Sequence, residues 1–537
     1  MEVPRTYEAL WHDASPKPAA APLTTAQKLL LPLGLLLFNW LFWDEKTGVN
    51  VLVYNVLVVG AQVGLRPRRA AARRAGLFWL AAAGSLFSGA MAAVHGSGAA
   101  VLASAASLLL LLGYANQPHL RLLAYALLTG AAGTLRAALA VPRAWQGRVM
   151  SGAGARRGWY YGRLLLGPLA VLAVFHGLFA VANPRYADLS GRALAAVGEW
   201  LARLWPDWSL GHALFLGLGY VLTAGALVAV PVYCFADHES RLGEWVRRQR
   251  DRVASLAVRR PDFRVRSFGA LGLRKEWLMA VAVLGLVNAL LLAVNLIDIN
   301  WLWFGFEPAP GFDLAQFVHE GTYVLIFSIL LAMALVLWFF RRNLNFYGPG
   351  LPWLRAGATA WVLQNAVLAG SVGLRNYYYI ERRGLAYKRL GVCFFLLLTL
   401  FGLGTMLLKI WQRRSVYALV RRNALAAYAV LLVLAAGNWE VWMARYNLQL
   451  RFQTVDVGFL LALPGRALPA LLADRARLNQ IPRLTRETGY GGVVVVGAAD
   501  AQRRLDAAVA AWRQRQRTYA GWQGWNYADW QAAKALR

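Results

Sequence analysis

The chain has 537 residues and a formal net charge of +31, from 57 Lys and Arg against 26 Asp and Glu. However, 58% of its residues are hydrophobic and only 15% are charged, which excludes an ordinary soluble globular protein. Apolar runs of about 17–22 residues recur, and this length crosses about 30 Å of hydrocarbon as a helix. Because helices satisfy their own backbone groups in lipid, the sequence predicts an all-α, polytopic membrane helix bundle rather than a barrel of short alternating strands.

The basic residues lie mainly in the loops between the apolar runs. The positive-inside rule produces this arrangement, so the charge indicates membrane topology and predicts no nucleic-acid partner. The two cysteines, Cys234 and Cys393, predict neither a disulfide framework nor a cysteine metal site. We expect membrane lipids as partners and no cofactor. The sequence identifies no protein partner.

In chain order, a polar leader at residues 1–28 precedes a transmembrane domain at 29–437, with about twelve spans, and a mostly helical extramembrane tail at 438–537. Small residues in the third to fifth spans predict close helix packing. Within the tail, Gly489–Gly492 predicts a turn before a short strand. The predicted spans are Leu29–Trp43, Val49–Leu65, Ala75–Val94, Gly98–Gly113, Leu120–Val141, Leu164–Ala182, Gly211–Cys234, Trp277–Ile297, Thr322–Phe340, Leu351–Leu374, Leu390–Ile410 and Ala424–Gly437.

Residues 183–210 form a segment of a different kind. Apolar side chains recur at helical spacing between charged ones, which predicts an amphipathic helix lying at the membrane interface. The alternative is a short helix packed on the bundle.

The loop at 235–275 is the most basic part of the chain, with eleven Lys and Arg against five acids, and we place it in the cytoplasm. Counting forward from it puts residues 298–321, 375–389 and the tail outside. Counting backward puts the basic loop Arg66–Arg74 outside and Pro142–Arg163 inside. These two basic loops conflict, so either one of the spans between them is miscounted or the opening hairpin does not cross.

Three ionisable residues near the outer ends of two spans are the candidate catalytic groups: Asp298, His319 and Glu320. Ionisable groups at membrane depth are costly, and this cost suggests a functional site. The alternative is that all three sit in water just above the hydrocarbon. Tyr323 stands where a zinc-protease motif would have its second His, so we predict no metal site.

Basic residues also cluster on the predicted outer side, against the bias seen elsewhere. Three explanations stay open: pairing with an acidic residue such as Asp298, Asp313 or Glu320, an anionic ligand held by Arg and Tyr, or an interfacial helix whose charges snorkel. Asn288, Gln364 and Asn365, within spans, are expected to hydrogen-bond between helices. The clustered basic residues are Arg375, Arg382, Arg383, Lys388 and Arg389.

Several short patterns along the chain together resemble a bacterial multi-pass membrane family known only as a domain of unknown function (forty-one seventy-three, with forty-one fifty-three as its relative). The patterns are Leu41-Phe42 with Gly48-Val49-Asn50, Ala182-Asn183-Pro184, Tyr379 with Gly384-Leu385 and Arg389, Ala444-Arg445-Tyr446-Asn447 with Asp456 and Leu460, and Trp525-Asn526.

This resemblance implies an integral membrane protein and supplies no activity. Together with the basic cluster it suggests a set of ligand-binding candidates: Tyr379, Arg383, Arg389, Arg445, Tyr446 and Asn447. The expected location is the inner membrane of a bacterium. The leading functional hypothesis is transport or export along a path lined by the outer charges. The alternatives are an intramembrane enzyme that uses His319 or Glu320 as a base on a lipid-linked substrate, and a sensor or scaffold whose tail binds a partner.

Overall fold

The structure is a computed structural model. It describes residues 23–64, 76–145, 168–169, 171–180, 182–204, 209–248, 270–304, 314–340, 343–449, 454–487, 493–518 and 521–536. Side chains at 143, 198, 200–204, 270–272, 314–325, 487, 493 and 517–518 lie outside this description. The predicted leader lies almost entirely outside the described residues, as do the segments 65–75, 249–269 and 305–313.

The first half of the membrane domain is a set of closely packed helices. Small residues allow the contact between the fourth and fifth helices, since a Cβ on Gly113 would lie 1.9 Å from the carbonyl oxygen of Ala126. Close packing in this part was predicted. The helices are α1 (Thr25–Phe42), α2 (Val49–Gly64), α3 (Gly76–His95), α4 (Gly98–Asn116), α5 (Leu123–Trp145), α6 (Pro184–Leu204), α7 (Leu210–Leu227) and α8 (Cys234–Ser240).

Helix α6 confirms the helix predicted within 183–210, while its place at the interface stays a prediction. The Asn183 side chain caps it, because Oδ1 accepts hydrogen bonds from the backbone N–H groups of Arg185 (3.0 Å) and Tyr186 (3.3 Å). The apolar side chains of Leu189, at 64%, and Leu194, at 52%, are exposed, which leaves an apolar surface on this helix.

The second half of the membrane domain packs around one long helix. Amide side chains bond this long helix, α11 (Leu351–Arg383), to α9 (Ala270–Asp298). Gln364 Nε2 donates to Asn288 Oδ1 (2.7 Å), and Asn295 Nδ2 donates to the Gln364 carbonyl (3.0 Å). The predicted interhelical role of Asn288 and Gln364 is therefore confirmed, whereas Asn365 bonds back within its own helix to Trp361. The helices are α9 (Ala270–Asp298, continuing as a π-helical turn at Ile299–Trp303), α10 (Leu314–Phe339), α11 (Leu351–Arg383), α12 (Tyr387–Gln412) and α13 (Val416–Ala436).

The tail folds as a compact unit with its own apolar core. A three-stranded sheet has the order β1 (Thr454–Asp456), β2 (Arg483–Glu487), β3 (Val493–Val496), with β1 parallel to β2 and β3 antiparallel to it. The short strand predicted after Gly489–Gly492 is therefore present as β3, while the predicted turn itself lies outside the described residues. The tail is thus mostly helical, as predicted, with a small sheet added. Its elements are α14 (Trp439–Asn447), β1 (Thr454–Asp456), α15 (Val457–Ala462), α16 (Leu468–Ala473), β2 (Arg483–Glu487), β3 (Val493–Val496), α17 (Ala498–Thr518) and α18 (Tyr527–Ala535).

The fold is helical and suited to a membrane, but the expected twelve spans are not confirmed. Among the described residues, eight helices are long and apolar enough to cross a membrane: α1, α3, α4, α5, α7, α9 with its π-helical turn, α12 and α13. Shorter apolar helices occur at Val49–Gly64, Val171–Ala180 and Ile326–Phe339. Helix α11 spans 33 residues but carries charges at both ends.

Two opposite ends of the bundle can be defined by their contacts. The basic face comprises the turn 117–122, the segment 228–248, the turn 343–350 and the turn 413–415. Glu239 connects several of these, because it accepts hydrogen bonds from the N–H of Leu122 (2.8 Å) and the hydroxyl of Tyr417 (2.6 Å). The tail face comprises the turn 43–48, the turn at Gly96 and the turn 384–386, all of which contact the tail.

These faces correct the predicted chain path. Helix α5 runs antiparallel to α7, since Thr134 lies against Gly225 and the Tyr220 hydroxyl donates to the Ala138 carbonyl (2.8 Å). The end of α5 and the start of α7 therefore lie on the same side, so an even number of crossings separates them. The single crossing predicted at Leu164–Ala182 is wrong. Three helices, α3 to α5, still separate the predicted basic loops Arg66–Arg74 and Pro142–Arg163, so the conflict between these two loops is not removed by this correction.

Candidate functional site

The candidate carboxylate Asp298 is held in a buried ion pair. It is the last residue of α9, and its Oδ1 lies 2.8 Å from an Nη of Arg375 on α11. The side chains are only 6% and 9% exposed, respectively. Pairing with an acid was one of the three explanations for the basic cluster, and it holds for Arg375. Oδ2 of Asp298 is buried and has no hydrogen-bond partner among the described residues.

A π-helical turn, Ile299–Trp303, directly follows Asp298, and its side-chain and backbone contacts hold this part of α9 against α11. Just after Asp298, Trp303 donates its indole N–H to the Ser371 hydroxyl (3.0 Å). The Tyr378 hydroxyl donates to the carbonyl of Leu302 (3.1 Å). π-Turns often lie at functional positions, but here both contacts tie α9 to α11 and hold the ion pair in place.

Two of the ligand-binding candidates form a stacked pair at the turn between α11 and α12. The guanidinium carbon of Arg389 lies 4.0 Å from the centre of the Tyr379 ring. The same guanidinium donates to the carbonyls of Arg383 (2.9 Å) and Gly384. Arg389 thereby satisfies the exposed carbonyls at the end of α11, which is a stabilising role for a cation at a helix C-terminus.

A third candidate, Asn447, fastens the tail to that turn. Its amide donates to the carbonyl of Leu385 (2.8 Å) and its Oδ1 accepts from the backbone N–H of the same residue (2.5 Å). The amide of this one side chain thus bonds both the N–H and the C=O of Leu385, as a neighbouring β-strand would. Gly384 lies next to it with φ +77°, and a Cβ there would lie 2.5 Å from Asn447 Oδ1.

A second buried ion pair joins the tail to the first half of the bundle. An Nη of Arg466 lies 2.7 Å from Oε1 of Glu440, with side-chain exposures of 6% and 9%. The Tyr387 hydroxyl donates to the same carboxylate oxygen (3.2 Å), and Arg466 also reaches the carbonyl of Gly96 (3.4 Å). The sequence singled out none of these residues. The contact of Arg466 with Gly96 joins positions 370 residues apart, which no local pattern in the sequence indicates.

The far end of the tail contacts the turn of the opening hairpin. The backbone N–H of Val49 donates to Trp525 and that of Asn50 to Gln523, both at 2.9 Å. A Cβ on Gly48 would lie 2.2 Å from the Trp525 carbonyl oxygen, so only glycine fits there. Asn526 caps α18 through its side chain. Two patterns at opposite ends of the chain therefore meet in space.

The remaining candidates do not join these contacts in the part of the chain that the structure describes. His319 and Glu320 lie in the first turns of α10, and their side chains fall outside the described residues. Arg383 and Arg445 are exposed, and only the backbone of Arg383 contacts Arg389. Tyr446 packs against the tail core. The six ligand-binding candidates therefore do not converge on one pocket.

No group of three or more His, Cys, Asp or Glu side chains is placed to hold a metal ion within the described ranges. A cavity of about 480 Å³ lies instead within the tail, between α15, the sheet and α17. Leu461, Val496 and Ala508 contribute apolar walls, and Arg486 and Arg504 line it as well.

The sequence also gave no sign of a buried lysine at the basic face. The side chain of Lys409 is 1% exposed and donates to the carbonyls of Phe340 (2.9 Å) and Arg414 (3.1 Å). It thus caps the ends of α10 and α12. In the sequence it lies at the end of an apolar run, where a snorkelling lysine is the ordinary expectation.

A family model described as a domain of unknown function, DUF4153, matches residues 67–473. The chain belongs to this family. The resemblance drawn from the sequence named this family as the relative, and the match falls on it rather than on forty-one seventy-three. No curated protein and no solved structure matches the chain. The matched range contains α3 to α16, whereas Gly48 and Trp525 lie on either side of it.

The family assignment, together with eight membrane-length helices, establishes an integral membrane protein of the DUF4153 family. Several of the residues that carried the sequence resemblance lie where the tail meets the bundle, whereas Asn183 caps α6. Gly384, Arg389 and Asn447 form one contact between tail and bundle, and Val49 and Trp525 form another. Their common feature is structural: they hold the tail on the tail face.

Proposed function

We propose that this DUF4153 protein is a membrane-anchored scaffold whose tail is held at a fixed position on the bundle and binds a protein partner. The main support for this proposal is that the candidate site residues make structural contacts. Asp298, Arg375, Arg389 and Asn447 are all engaged in contacts that hold helices or the tail in place. A fixed extramembrane domain is what a scaffold requires.

An exposed apolar strand supports the choice of partner. Within the described residues β3 pairs with β2 on one side only, which makes it an edge strand. Val494 is 47% and Val495 58% exposed, although valine normally covers a core. An open edge with apolar side chains pairs readily with an extended segment of another chain. The proposed partner therefore contributes an extended, apolar strand.

Transport or export is the second candidate, favoured by the Asp298–Arg375 pair within the membrane helices. A charged pair at this depth can line a path for a polar substrate. An intramembrane enzyme would rely on His319 or Glu320 as its base. The proposed location is the inner membrane of a bacterium, with the basic face in the cytoplasm because Lys and Arg accumulate there.

Site-specific photo-crosslinking in cells tests the scaffold. A photoreactive amino acid replaces Gly497, next to β3, where a side chain meets nothing within 4 Å. The matched control places it at the exposed Arg515 on α17. We expect one discrete crosslinked protein from position 497 and none from 515, and loss of that product when Val494→Lys and Val495→Lys are added. The absence of a product at 497, or its persistence in the lysine variant, contradicts the proposal.

Thiol labelling tests transport separately. Cys234 and Cys393 are changed to Ser, and a single cysteine replaces Asp298. The scaffold predicts slow labelling by a membrane-impermeant reagent, since this position is buried. Labelling from both sides of the membrane favours transport instead.

A further inference from the structure

A cluster of three arginines lies on the basic face, where α11 begins and α12 ends. An Nη of Arg355 donates to the carbonyl of Trp411 (3.1 Å), and its guanidinium carbon lies 5.5 Å from the centre of the Trp411 ring. The guanidinium of Arg414 lies 3.7 Å from the ring of Trp245. Arg413 follows α12 directly, so all three cations come close together at the same turn.

The backbone at Arg413 is unusual. Its φ is +53° in the left-handed region, where glycine and asparagine are the favoured residues. A glycine at this position would end α12 without strain. The chain instead has an arginine there, whose side chain lies over the Phe346 ring (5.1 Å) and lines a cavity. A strained backbone of this kind often marks a functional position.

Two acidic residues of this face, Glu239 and Glu244, contact groups other than these arginines. Glu244 pairs with Arg421 (2.9 Å), and Glu239 is satisfied by backbone N–H groups and Tyr417. Within the described residues, neither Arg355 nor Arg413 has a carboxylate at ion-pair distance. The Nε of Arg355 is buried there without a hydrogen-bond partner. Such a cluster of like charges favours an anion, and the described residues do not supply one.

The cavity beside these cations measures about 380 Å³ and is lined by Trp245, Val246, Arg355, Trp411, Gln412 and Arg413. The Trp245 and Trp411 side chains are 54% and 57% exposed, and Trp353 nearby is 73% exposed. Exposed tryptophans at the end of a membrane helix mark the interface level, where lipid headgroups lie. The cavity therefore opens at the depth of the phosphates.

We propose that this cavity binds a phosphate group, with Arg355 and Arg413 donating to its oxygens. Planar guanidinium groups suit phosphate, and Arg355 retains free donors for it. The phosphate belongs either to an anionic phospholipid headgroup or to a soluble phosphate. This site is independent of the partner-binding strand in the tail, which is on the opposite face.

Native mass spectrometry of the full chain, purified and delipidated in detergent, tests the site. The probes are phosphatidylglycerol, phosphatidylcholine and inorganic phosphate. The first variant is Arg413→Gly, which relieves the left-handed backbone while removing the guanidinium. The second is Arg355→Gln with Arg413→Gln and Arg414→Gln. The control removes three exposed arginines from the tail side: Arg382→Gln, Arg483→Gln and Arg515→Gln.

We expect wild type and control to retain phosphatidylglycerol, and Arg413→Gly to bind it about tenfold more weakly, with a greater loss in the triple variant. The folding of Arg413→Gly should be unimpaired. Competition by millimolar inorganic phosphate identifies a soluble phosphate as the occupant, and no competition identifies a lipid. Equal loss in the control, or binding unchanged in Arg413→Gly and the triple variant, overturns the proposal.

Discussion

At the scale of single residues, Asp298 shows why charges inside the bundle have to be considered in pairs. An unpaired carboxylate or guanidinium at this depth would be strongly destabilising, whereas the pair is tolerated because each charge offsets the other. The pair therefore explains how the Arg375 side chain can be buried on the predicted outer side without contact with water.

A double-mutant cycle checks this coupling. We expect Asp298→Leu and Arg375→Leu each to lower the free energy of unfolding by about 3–5 kcal/mol, since each leaves one buried charge unpaired. The free energy of unfolding of the double variant should fall by much less than the sum of the two single losses, because no unpaired charge remains buried. Thermal or denaturant unfolding in detergent measures all four proteins. Additive losses would mean that the two residues act independently.

Asn447 offers a second test at this scale. Asn447→Leu leaves the N–H and C=O of Leu385 buried without partners, and each lost bond costs about 1–3 kcal/mol. We expect a clearly lower melting temperature by differential scanning fluorimetry. Arg445→Ala, two residues away but exposed, is the matched control and should unfold like wild type. A similar effect of both changes would contradict the assigned role.

The sequence predicted the contacts of single residues only where a buried charge required a partner of opposite charge. Arg375 needed a partner in any apolar surrounding, so a pairing with Asp298 could be foreseen. The contacts of Asn447 and Arg466 could not, since an amide or guanidinium that binds a distant backbone has no periodicity or charge signature. Composition also cannot distinguish a ligand-binding arginine from one that caps a helix, as Arg389 does.

At the scale of elements, the turn between α11 and α12 depends on one glycine. Gly384 has φ +77°, and a side chain there would also collide with Asn447. We expect Gly384→Ala to destabilise the protein measurably, by about 1 kcal/mol or more from the backbone alone. Gly391→Ala on α12 has open space and a helical backbone, so it should be neutral or stabilising. Equal melting temperatures for the two variants would exclude this explanation.

The number and direction of the helices could be predicted only in part. Apolar length identified most of the bundle, because a helix in lipid has few alternatives. It gave a single crossing at Leu164–Ala182, where the antiparallel packing of α5 and α7 requires an even number, since hydropathy measures apolar length and not the direction of a segment. Helix α11 was predicted as the span Leu351–Leu374, whereas the structure extends the helix to Arg383 through a charged last turn.

At the scale of the whole molecule, the two faces predict opposite labelling. We place single cysteines at Arg69, in the loop between α2 and α3, and at Arg382 on the tail face, in a chain with Cys234→Ser and Cys393→Ser. An impermeant thiol reagent should label position 69 only from the side of the basic face and position 382 only from the other. Labelling of both positions from one side would restore the rejected crossing at Leu164–Ala182.

The contact between Val49 and Trp525 has a consequence for how the protein is made. Trp525 leaves the ribosome more than four hundred and seventy residues after Val49 of the hairpin turn, with which it is hydrogen-bonded. At about 5–20 residues per second, the turn waits roughly half a minute to a minute and a half. Throughout that interval its N–H groups face water or a chaperone, so residues translated late complete the contacts of a turn that is translated early.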